Sequence, residues 1–267
     1  MRVLTLRPES IPKSLYGSIR SIHSLKIEFI SEGIIIHIIT ISRHFLIIKN
    51  IYLLMQAFID EMLEASIKDI LPIMQERIVN KTKYFGVPTQ KNPLDAWRYQ
   101  EIIFDLRPDV IIEIGNFSGG GLFFIAQICD LLDHGRVIGL DISHQSVPEK
   151  VRVHPRITLI EGDACQNLPT VRKLISINET VLIIEDSSHT FENTLNILRT
   201  YSIFIKPSFY FIVEDGICHH GLDIGPEPGP FEAIEQFIEE NADFEIDRSN
   251  ESFFITWNPK GFLRRIR

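Results

Sequence analysis

The stretch Val110–Gly121, which reads VIIEIGNFSGGG, decides the fold of this chain. Its first five residues form a short apolar run that is typical of a buried strand, and the run ends at Gly115. Glycines follow at positions 119, 120 and 121, where they permit positive φ angles and close approach of the backbone to a ligand. Apolar residues then recur at helical spacing over residues 122–132. The stretch therefore predicts a strand, a glycine loop and a helix whose first N–H groups are free for an anionic ligand group.

Strand and helix patterns alternate from this unit to the end of the chain. Further strands are predicted at Val137–Leu140, Ile157–Ile160, Val181–Ile184, Phe209–Val213, Phe244–Ile246 and Phe253–Trp257. Helices are predicted between them at Leu168–Ile177, Thr194–Ile205 and Phe231–Glu240. This alternation predicts an α/β fold with a Rossmann-like sheet, which is mostly parallel, has an antiparallel closing strand and carries helices on both faces.

Acidic residues follow four of the predicted strands. Any one of them is easily explained as a helix cap or a solvated turn residue. Ligands of open α/β sheets, however, bind beyond the carboxyl ends of the strands, and all of these acids belong to that edge. The pattern therefore predicts a binding rim formed by Asp141, Asp163, Asp186, Glu214 and Asp215.

The composition of the chain excludes several classes of protein. The 267 residues include 27 Lys and Arg against 35 Asp and Glu, which gives a net charge of −8 and argues against a protein that binds nucleic acid. Cys129, Cys165 and Cys218 show neither metal-site spacing nor a disulfide framework. Reduced thiols of this kind indicate a cytoplasmic protein.

The first 80 residues differ from the rest of the chain. Between Gly33 and Phe58 the sequence is rich in isoleucine and leucine, but Arg43, Lys49 and two histidines interrupt it, so no segment is long enough to span a membrane. From Ala57 to Val79 the apolar residues recur near helical spacing. We therefore predict an N-terminal extension with amphipathic helices over residues 1–80 and a catalytic domain over residues 81–267. Peripheral contact with a membrane stays open as an alternative role for the extension.

The glycine loop, with a glutamate two residues before its first glycine, follows the pattern E-x-G-x-x-x-G-G, which is neither a dinucleotide fingerprint nor a P-loop. It resembles the first motif of class I S-adenosylmethionine (AdoMet) methyltransferases. The resemblance implies that the loop wraps the amino-acid end of AdoMet, that Asp141 binds the ribose hydroxyls and that Asp163 lies by the adenine. The implied cofactor-binding residues are Glu113, Gly115, Asn116, Ser118, Gly119, Gly120, Asp141 and Asp163.

A longer series of motifs resembles one branch of these enzymes, the cephalosporin-hydroxylase-like and rhamnosyl O-methyltransferase family. The similarity covers about two thirds of the chain, in order, and leaves the first 80 residues largely unmatched. The matching pieces are Tyr84–Pro88, Pro93–Gln100, Arg107–Asp109, the glycine loop, Glu185–Thr190, Val213–Asp215 and Phe253–Leu263.

This family resemblance implies a divalent metal ion, usually Mg²⁺, beside the methyl donor. The predicted ligands are Asp186, Glu214 and Asp215, and carboxylate oxygens are the hard donors that Mg²⁺ prefers. One departure bears on this site, because many relatives have aspartate where this chain has Ser188. The aspartate ligand of the family therefore maps either to Asp186, which we favour, or to the position of Ser188.

The reaction that the resemblance implies is O-methylation of a hydroxyl on a sugar, a glycolipid or a polyketide-like small molecule. His189 is predicted to act as the general base, since an ordinary histidine pKa of about 6.5 suits that role. It is equally suited to orienting a carboxylate that binds the metal. His219 and His220 are second choices for the base.

Three alternatives remain open from the sequence. The chain is either an active methyltransferase, a catalytically inactive binding protein on the same fold, or, less favoured by the glycine spacing, an NAD-dependent oxidoreductase. Relatives of this kind often assemble, so a homo-oligomer is also an open alternative. The identity of the acceptor does not follow from the sequence.

Overall fold

The computed structural model describes residues 2–5, 26–30, 33–35 and 58–267, and divides the chain into units at residues 1–61 and 62–267. In the first unit, strand β2 (Lys26–Ile30) pairs antiparallel with β1 (Arg2–Thr5) and with β3 (Gly33–Ile35). Residues 36–57, which hold most of the isoleucine-rich segment, lie outside the described residues. In the part that is described, no helix has the length and apolar character needed to cross a membrane.

The second unit alternates strands and helices, as predicted. Its helices are α1 (Ile67–Lys81), α2 (Pro93–Leu106), α3 (Gly120–Leu132), α4 (Glu149–Arg152), α5 (Leu168–Leu174), α6 (Phe191–Tyr201) and α7 (Pro230–Glu240). Its strands are β4 (Lys83–Tyr84), β5 (Val87–Pro88), β6 (Val110–Ile114), β7 (Arg136–Asp141), β8 (Ile157–Glu161), β9 (Val181–Glu185), β10 (Tyr210–Val213), β11 (Phe244–Ile246) and β12 (Phe262–Arg265).

Seven of these strands form one sheet in the order β11-β12-β10-β9-β6-β7-β8. Strand β6 is the middle strand of the five-stranded parallel part and pairs with β7 and β9, while β8 and β10 extend this part outward. Strand β12 pairs antiparallel with both β10 and β11. The predicted fold class is therefore confirmed: the sheet is mostly parallel, and one strand in its closing part, β12, runs antiparallel.

Helices cover both faces of the sheet because successive strand residues point to opposite sides. Ile112 and Ile183 lie in a core with residues of α5, α6 and α7. Their neighbours Ile111 and Leu182 lie in a second core with residues of α2, α3 and α4. Both faces of the central strands are thus buried, which explains their nearly continuous apolar sequence.

The closing strand is not where the sequence predicted it. Residues 253–257 form turns, and β12 at Phe262–Arg265 takes the place of the predicted strand. The cause is the buried carboxylate of Asp95, which accepts hydrogen bonds from Thr256 Oγ1 at 2.6 Å and from the Trp257 backbone N–H at 2.8 Å. Phe254 has a φ of 67°, which is incompatible with a continuous strand. Tertiary contacts therefore override the alternation of residue types here.

Replacing Asp95 with alanine should destabilise the second unit. The change leaves the N–H of Trp257 and the hydroxyl of Thr256 buried without their acceptor, so we expect a loss of roughly 3 kcal/mol in the free energy of unfolding. Denaturant unfolding followed by tryptophan fluorescence measures this loss. Asp105→Ala, an exposed position on the same helix, is the matched control and should change stability by less than about 0.5 kcal/mol. Equal stabilities of the two variants would contradict the role given to Asp95.

Candidate active site

The glycine loop after β6 touches the loop after β9 directly. Gly115 has a φ of 89°, and a Cβ at this position would collide with the carbonyl group of Asp186. The Gly115 N–H donates to Leu140 O at 2.8 Å, and the Asp186 N–H donates to Ile114 O at 2.7 Å. A residue without a side chain is therefore required where the ends of β6, β7 and β9 meet.

Asp141, at the end of β7, holds the glycine loop in place. Its Oδ2 accepts hydrogen bonds from the backbone N–H groups of Asn116 at 2.6 Å and of Phe117 at 2.9 Å. Its Oδ1 accepts from the Ser143 N–H at 3.1 Å. The carboxylate thus shapes the wall of the cavity that opens beside it.

A cavity of about 600 Å³ lies at the carboxyl edge of the sheet, within the size range of small-molecule sites. Phe117 and Ile142 are both largely exposed, and their apolar side chains line the cavity together with Asp141. The predicted cofactor-binding residues that line this cavity are Gly115, Asp141 and Asp163, and the predicted metal ligand Asp186 joins them.

The other predicted cofactor-binding residues lie behind this wall. Ser118 is buried, Gly119 is the N-cap of α3 with a φ of 76°, and Gly120 begins the helix. These three line neither of the two cavities described here, and they shape the turn into α3. Glu113 and Asn116 face the opposite side of the loop, where they line a second cavity.

The second cavity, of about 340 Å³, adjoins the first. Gly115, Phe117, Asp186 and Ser187 contribute to both, so these residues form the common wall. The remaining lining includes polar side chains from α1 and from the segment before α2, together with residues of the loop after β10. Among them are Gln75, Thr89, Gln90, Lys91, His189, Asp215 and Trp257.

Lys91 lies at the floor of the second cavity, and the sequence did not indicate a role for it. Its ammonium group lies 3.0 Å from Glu113 Oε1, 2.8 Å from Asp186 Oδ2 and 2.6 Å from Glu214 Oε1. Lys91 is 5% exposed, and Glu113 and Glu214 are also buried. Strand ends β6, β9 and β10 are therefore joined through one buried cation.

The charges of this cluster do not balance, since three carboxylates share the single ammonium of Lys91. Burial lowers the pKa of Lys91, but the three acids together raise it well above its ordinary value, so the lysine stays protonated. Burial and the neighbouring Asp186 raise the pKa of Glu214 well above its ordinary value. The three carboxylates therefore carry more negative charge than Lys91 neutralises, and this remaining negative charge is able to attract a further cation.

The predicted metal ligands are divided between two groups of side chains. Glu214 points toward Lys91 and Glu113, whereas Asp215 faces His189, whose Nε2 lies 3.3 Å from Asp215 Oδ2. Asp186 belongs to both groups, since its potential ligand atoms lie within 4.8 Å of those of Glu113 and Glu214 and of those of His189 and Asp215. The two adjacent residues that follow β10 thus contact different groups of side chains.

His189 is placed at the second cavity by an unusual backbone conformation, with a φ of 55°. Its Nδ1 is buried without a hydrogen-bond partner among the described residues. Burial lowers the pKa of the ring, whereas Asp215, Asp186 and Glu185 raise it, and the net change is upward. Burial raises the pKa of Asp215 to about 6.

The second-choice histidines pair elsewhere. His219 Nδ1 lies 3.3 Å from Asp223 Oδ1, and His220 Nε2 lies 2.6 Å from Glu232 Oε1. Ser188, the position where many relatives have aspartate, is exposed and lies on the wall of the larger cavity. Its Oγ is 3.4 Å from Thr190 Oγ1.

A buried histidine that the sequence did not single out supports the loop from behind. His144 Nε2 lies 3.1 Å from Asn116 Oδ1, and Asn116 Nδ2 donates to the carbonyl of Glu113 at 2.9 Å. Asn116 Nδ2 also donates to Glu113 Oε2 at 3.5 Å, so these polar contacts connect His144 to the carboxylate of Glu113 beside Lys91. Neither His144 nor Lys91 belongs to a periodic pattern in the sequence. Their roles could therefore be recognised only from the contacts that they make in the folded structure.

Known proteins share this architecture. A structure of CmcI with Mg and SAM has a TM-score of 0.56 and 24% identity, covering 70% of this chain and 77% of that chain. A CmcI apo-structure has a TM-score of 0.55 and 25% identity, covering 70% and 76%. The rhamnosyl O-methyltransferase of Mycobacterium tuberculosis is 31% identical over 194 residues, which are 69% of this chain and 78% of that protein. Its counterpart from Mycobacterium leprae is 32% identical over 196 residues, or 70% and 84%.

The sheet topology, the glycine loop and these relatives define the class of protein: it is an AdoMet-dependent O-methyltransferase. The family model described as Rhamnosyl O-methyltransferase/CmcI matches residues 76–266, which is well over half of the chain. The chain belongs to this family. The resemblance read from the motifs is thereby confirmed, and AdoMet is the cofactor.

Asp141→Ala should weaken AdoMet binding. The substitution removes the acceptor for the loop N–H groups of Asn116 and Phe117 and the carboxylate at the cavity wall. We expect the dissociation constant, measured by calorimetric titration, to rise about 10- to 100-fold. Asp133→Ala, a fully exposed change at the other end of α3, should leave it unchanged. Unaltered affinity in Asp141→Ala would remove this residue from the cofactor site.

Proposed function

We propose that this enzyme transfers the methyl group of AdoMet to a hydroxyl of a sugar, a glycolipid or a polyketide-like small molecule, with a divalent cation, Mg²⁺, assisting. The observation that carries the proposal is the pair of adjoining cavities with Asp186 in their common wall. The larger is proposed to hold AdoMet and the smaller the acceptor. The proposed catalytic domain is residues 81–267, with residues 1–80 as an extension whose helix α1 contributes Gln75 to the acceptor side.

The names of similar proteins support the class of acceptor and the cation. The mycobacterial relatives are rhamnosyl O-methyltransferases, and rhamnose presents several hydroxyl groups. The CmcI structure that shares this fold was solved with Mg and SAM.

The residues of the second cavity fit a divalent cation on the side of Asp186 and Asp215. Both carboxylates line that cavity, and oxygen donors with room for water are the surroundings that Mg²⁺ prefers. Glu214, also predicted as a ligand, is turned toward Lys91 at 2.6 Å. We therefore propose Asp186 and Asp215 as the principal donors. A cation held there would lower the pKa of an acceptor hydroxyl and orient its oxygen.

His189 is the proposed general base. Asp215 Oδ2 lies 3.3 Å from His189 Nε2, and this carboxylate would stabilise the imidazolium that forms when His189 takes a proton. The acceptor oxygen forms a bond to the methyl carbon, the bond from this carbon to sulfur breaks, and S-adenosylhomocysteine leaves with the electron pair on sulfur. The hydroxyl proton goes to the His189 imidazole. Gly115 and Phe117 line both cavities and would therefore lie between the proposed methyl donor and acceptor.

The far wall of the second cavity is suited to an acceptor with several hydroxyl groups. Trp257 Nε1 donates to Gln75 Oε1, so the amide N–H groups of Gln75 remain as donors for a ligand. Gln90 and Thr89 add further polar atoms to the same cavity. Amide groups beside an aromatic ring are a common means of binding a sugar, whose faces are apolar and whose edge carries hydroxyls.

The direct test is transfer of a tritium-labelled methyl group from AdoMet to a panel of rhamnosides, glycolipids and glycosylated polyketides. We expect a labelled methyl ether on at least one acceptor, loss of most of the rate in EDTA and recovery with Mg²⁺. Binding of AdoMet without transfer to any hydroxylated acceptor would favour the inactive binding protein instead. An undiminished rate in EDTA would remove the cation from the proposal and keep the methyl transfer.

Gln75→Leu should affect the acceptor and spare the cofactor. The substitution keeps the size of the side chain but removes the amide that faces the second cavity. We expect KM for the acceptor to rise about tenfold, as for the loss of one hydrogen bond, with the AdoMet dissociation constant unchanged. Gln236→Leu, on α7 away from both cavities, is the matched control. A normal acceptor KM in Gln75→Leu would place the acceptor elsewhere.

A further inference from the structure

Lys91 lies between the ends of three strands, β6, β9 and β10. The lysine lies directly before α2, where Asn92 caps the helix by accepting the Leu94 N–H at 3.2 Å. Asn92 Nδ2 also donates to the buried Asp95 Oδ2 at 2.9 Å. These contacts fix the backbone on the α2 side of Lys91. The ion pairs with the three acids fix the position of its ammonium group.

The group that surrounds the ammonium has the geometry of a cation site. Ligand atoms of Glu113, Asp186 and Glu214 all lie within 4.8 Å of one another, and the ammonium nitrogen is within 3.0 Å of each residue. Without a cation, the buried carboxylates of Glu113 and Glu214 and the partly buried carboxylate of Asp186 would repel one another strongly. Lys91 therefore does for this group what a bound metal ion would do.

Helix α3 packs closely against Lys91 and Glu113. A Cβ on Gly121, in the first turn of α3, would collide with Glu113 Oε1 and with Lys91 Cε. Lys91 is 5% exposed and Glu113 is 1% exposed. The Asp186, His189 and Asp215 group differs in this respect, because its members are only partly buried and line the second cavity.

We infer that Lys91 is a built-in cation that fills the Glu113, Asp186 and Glu214 site and thereby directs the exchangeable divalent ion to Asp186 and Asp215. Lys91 is in this sense a positioning residue: it orients Asp186 and withdraws Glu214 from the exchangeable site. The inference rests on the proposed function only for the existence of an exchangeable cation. The inference that the Lys91 ammonium compensates the three acids is supported by its ion pairs with them.

The first experiment compares Mn²⁺ binding to the wild-type enzyme and two variants, with water-proton relaxation or electron paramagnetic resonance as the readout. Mn²⁺ is used because it takes the same oxygen ligands as Mg²⁺ and is directly observable. Asp215→Asn should weaken Mn²⁺ binding at least about tenfold, whereas Glu214→Gln should change it less than about threefold. A stronger loss in Glu214→Gln than in Asp215→Asn would overturn the inference.

The second experiment removes the ammonium with Lys91→Met, which keeps much of the side-chain length. The variant should be less stable than wild type in EDTA, and Mn²⁺ should raise its melting temperature by about 5 °C more than it raises that of the wild type. The added Glu214→Gln substitution should restore part of the stability in EDTA and remove the extra effect of Mn²⁺, because one uncompensated acid is gone. Lys173→Met, an exposed change on α5, is the matched control.

A role of Lys91 in packing alone predicts a different result. Lys91→Met would then show no extra stabilisation by Mn²⁺ and no repair by Glu214→Gln, and this outcome would overturn the inference. If Lys91→Met does not fold, the comparison of Asp215→Asn with Glu214→Gln decides the question. If the wild type does not bind Mn²⁺, the exchangeable ion is refuted and the inference fails. A separate assay of methyl transfer shows whether the proposed function fails as well.

Discussion

The rest of the site depends on the ion pairs between the buried ammonium of Lys91 and the acids at three strand ends. Parallel strands deliver their carboxyl ends to one edge of a sheet, and in this chain those ends carry glutamate and aspartate. Such an edge is unstable when it is buried without a compensating charge. The lysine before α2 supplies that charge from outside the sheet, and so the same contacts stabilise the fold and arrange the side chains of the site.

The division of the acidic residues follows from the same geometry. Glu214 and Asp215 directly follow β10, and Asp215 has a φ of 57°, so the backbone leaves the extended conformation at this residue. One therefore turns to Lys91 and Glu113, while the other turns to His189 and the acceptor side. Asp186 lies between the two groups and in the common wall of the two cavities. This residue connects cofactor, acceptor and cation in the proposed mechanism.

Much of the fold was predictable because its signals are local. The runs at β6, β7, β8 and β9 are buried on one or both faces, and the glycine loop marks the turn into α3. The closing strand was predicted wrongly at Phe253–Trp257, because the contacts of Asp95 with Thr256 and Trp257 come from a residue about 160 positions away. No local pattern reveals such a contact.

The candidate site was predictable to a similar extent. The acids and His189 stood out because they follow strands, and the structure brings Asp186, His189 and Asp215 together. Lys91 did not stand out, because a single lysine in a loop is ordinary in any sequence. The opposite orientation of Glu214 and Asp215 was equally hidden, since their adjacency in sequence suggested a shared ligand.

The measurement that tests the central claim most directly is a crystal structure of the enzyme with S-adenosylhomocysteine and Mn²⁺, with anomalous data to locate the metal. We expect the nucleoside in the cavity beside Asp141, the ammonium of Lys91 between Glu113 and Glu214, and the anomalous peak beside Asp186 and Asp215. A peak between Glu113 and Glu214, with the Lys91 side chain displaced, would contradict the claim that this lysine is the fixed cation of the site.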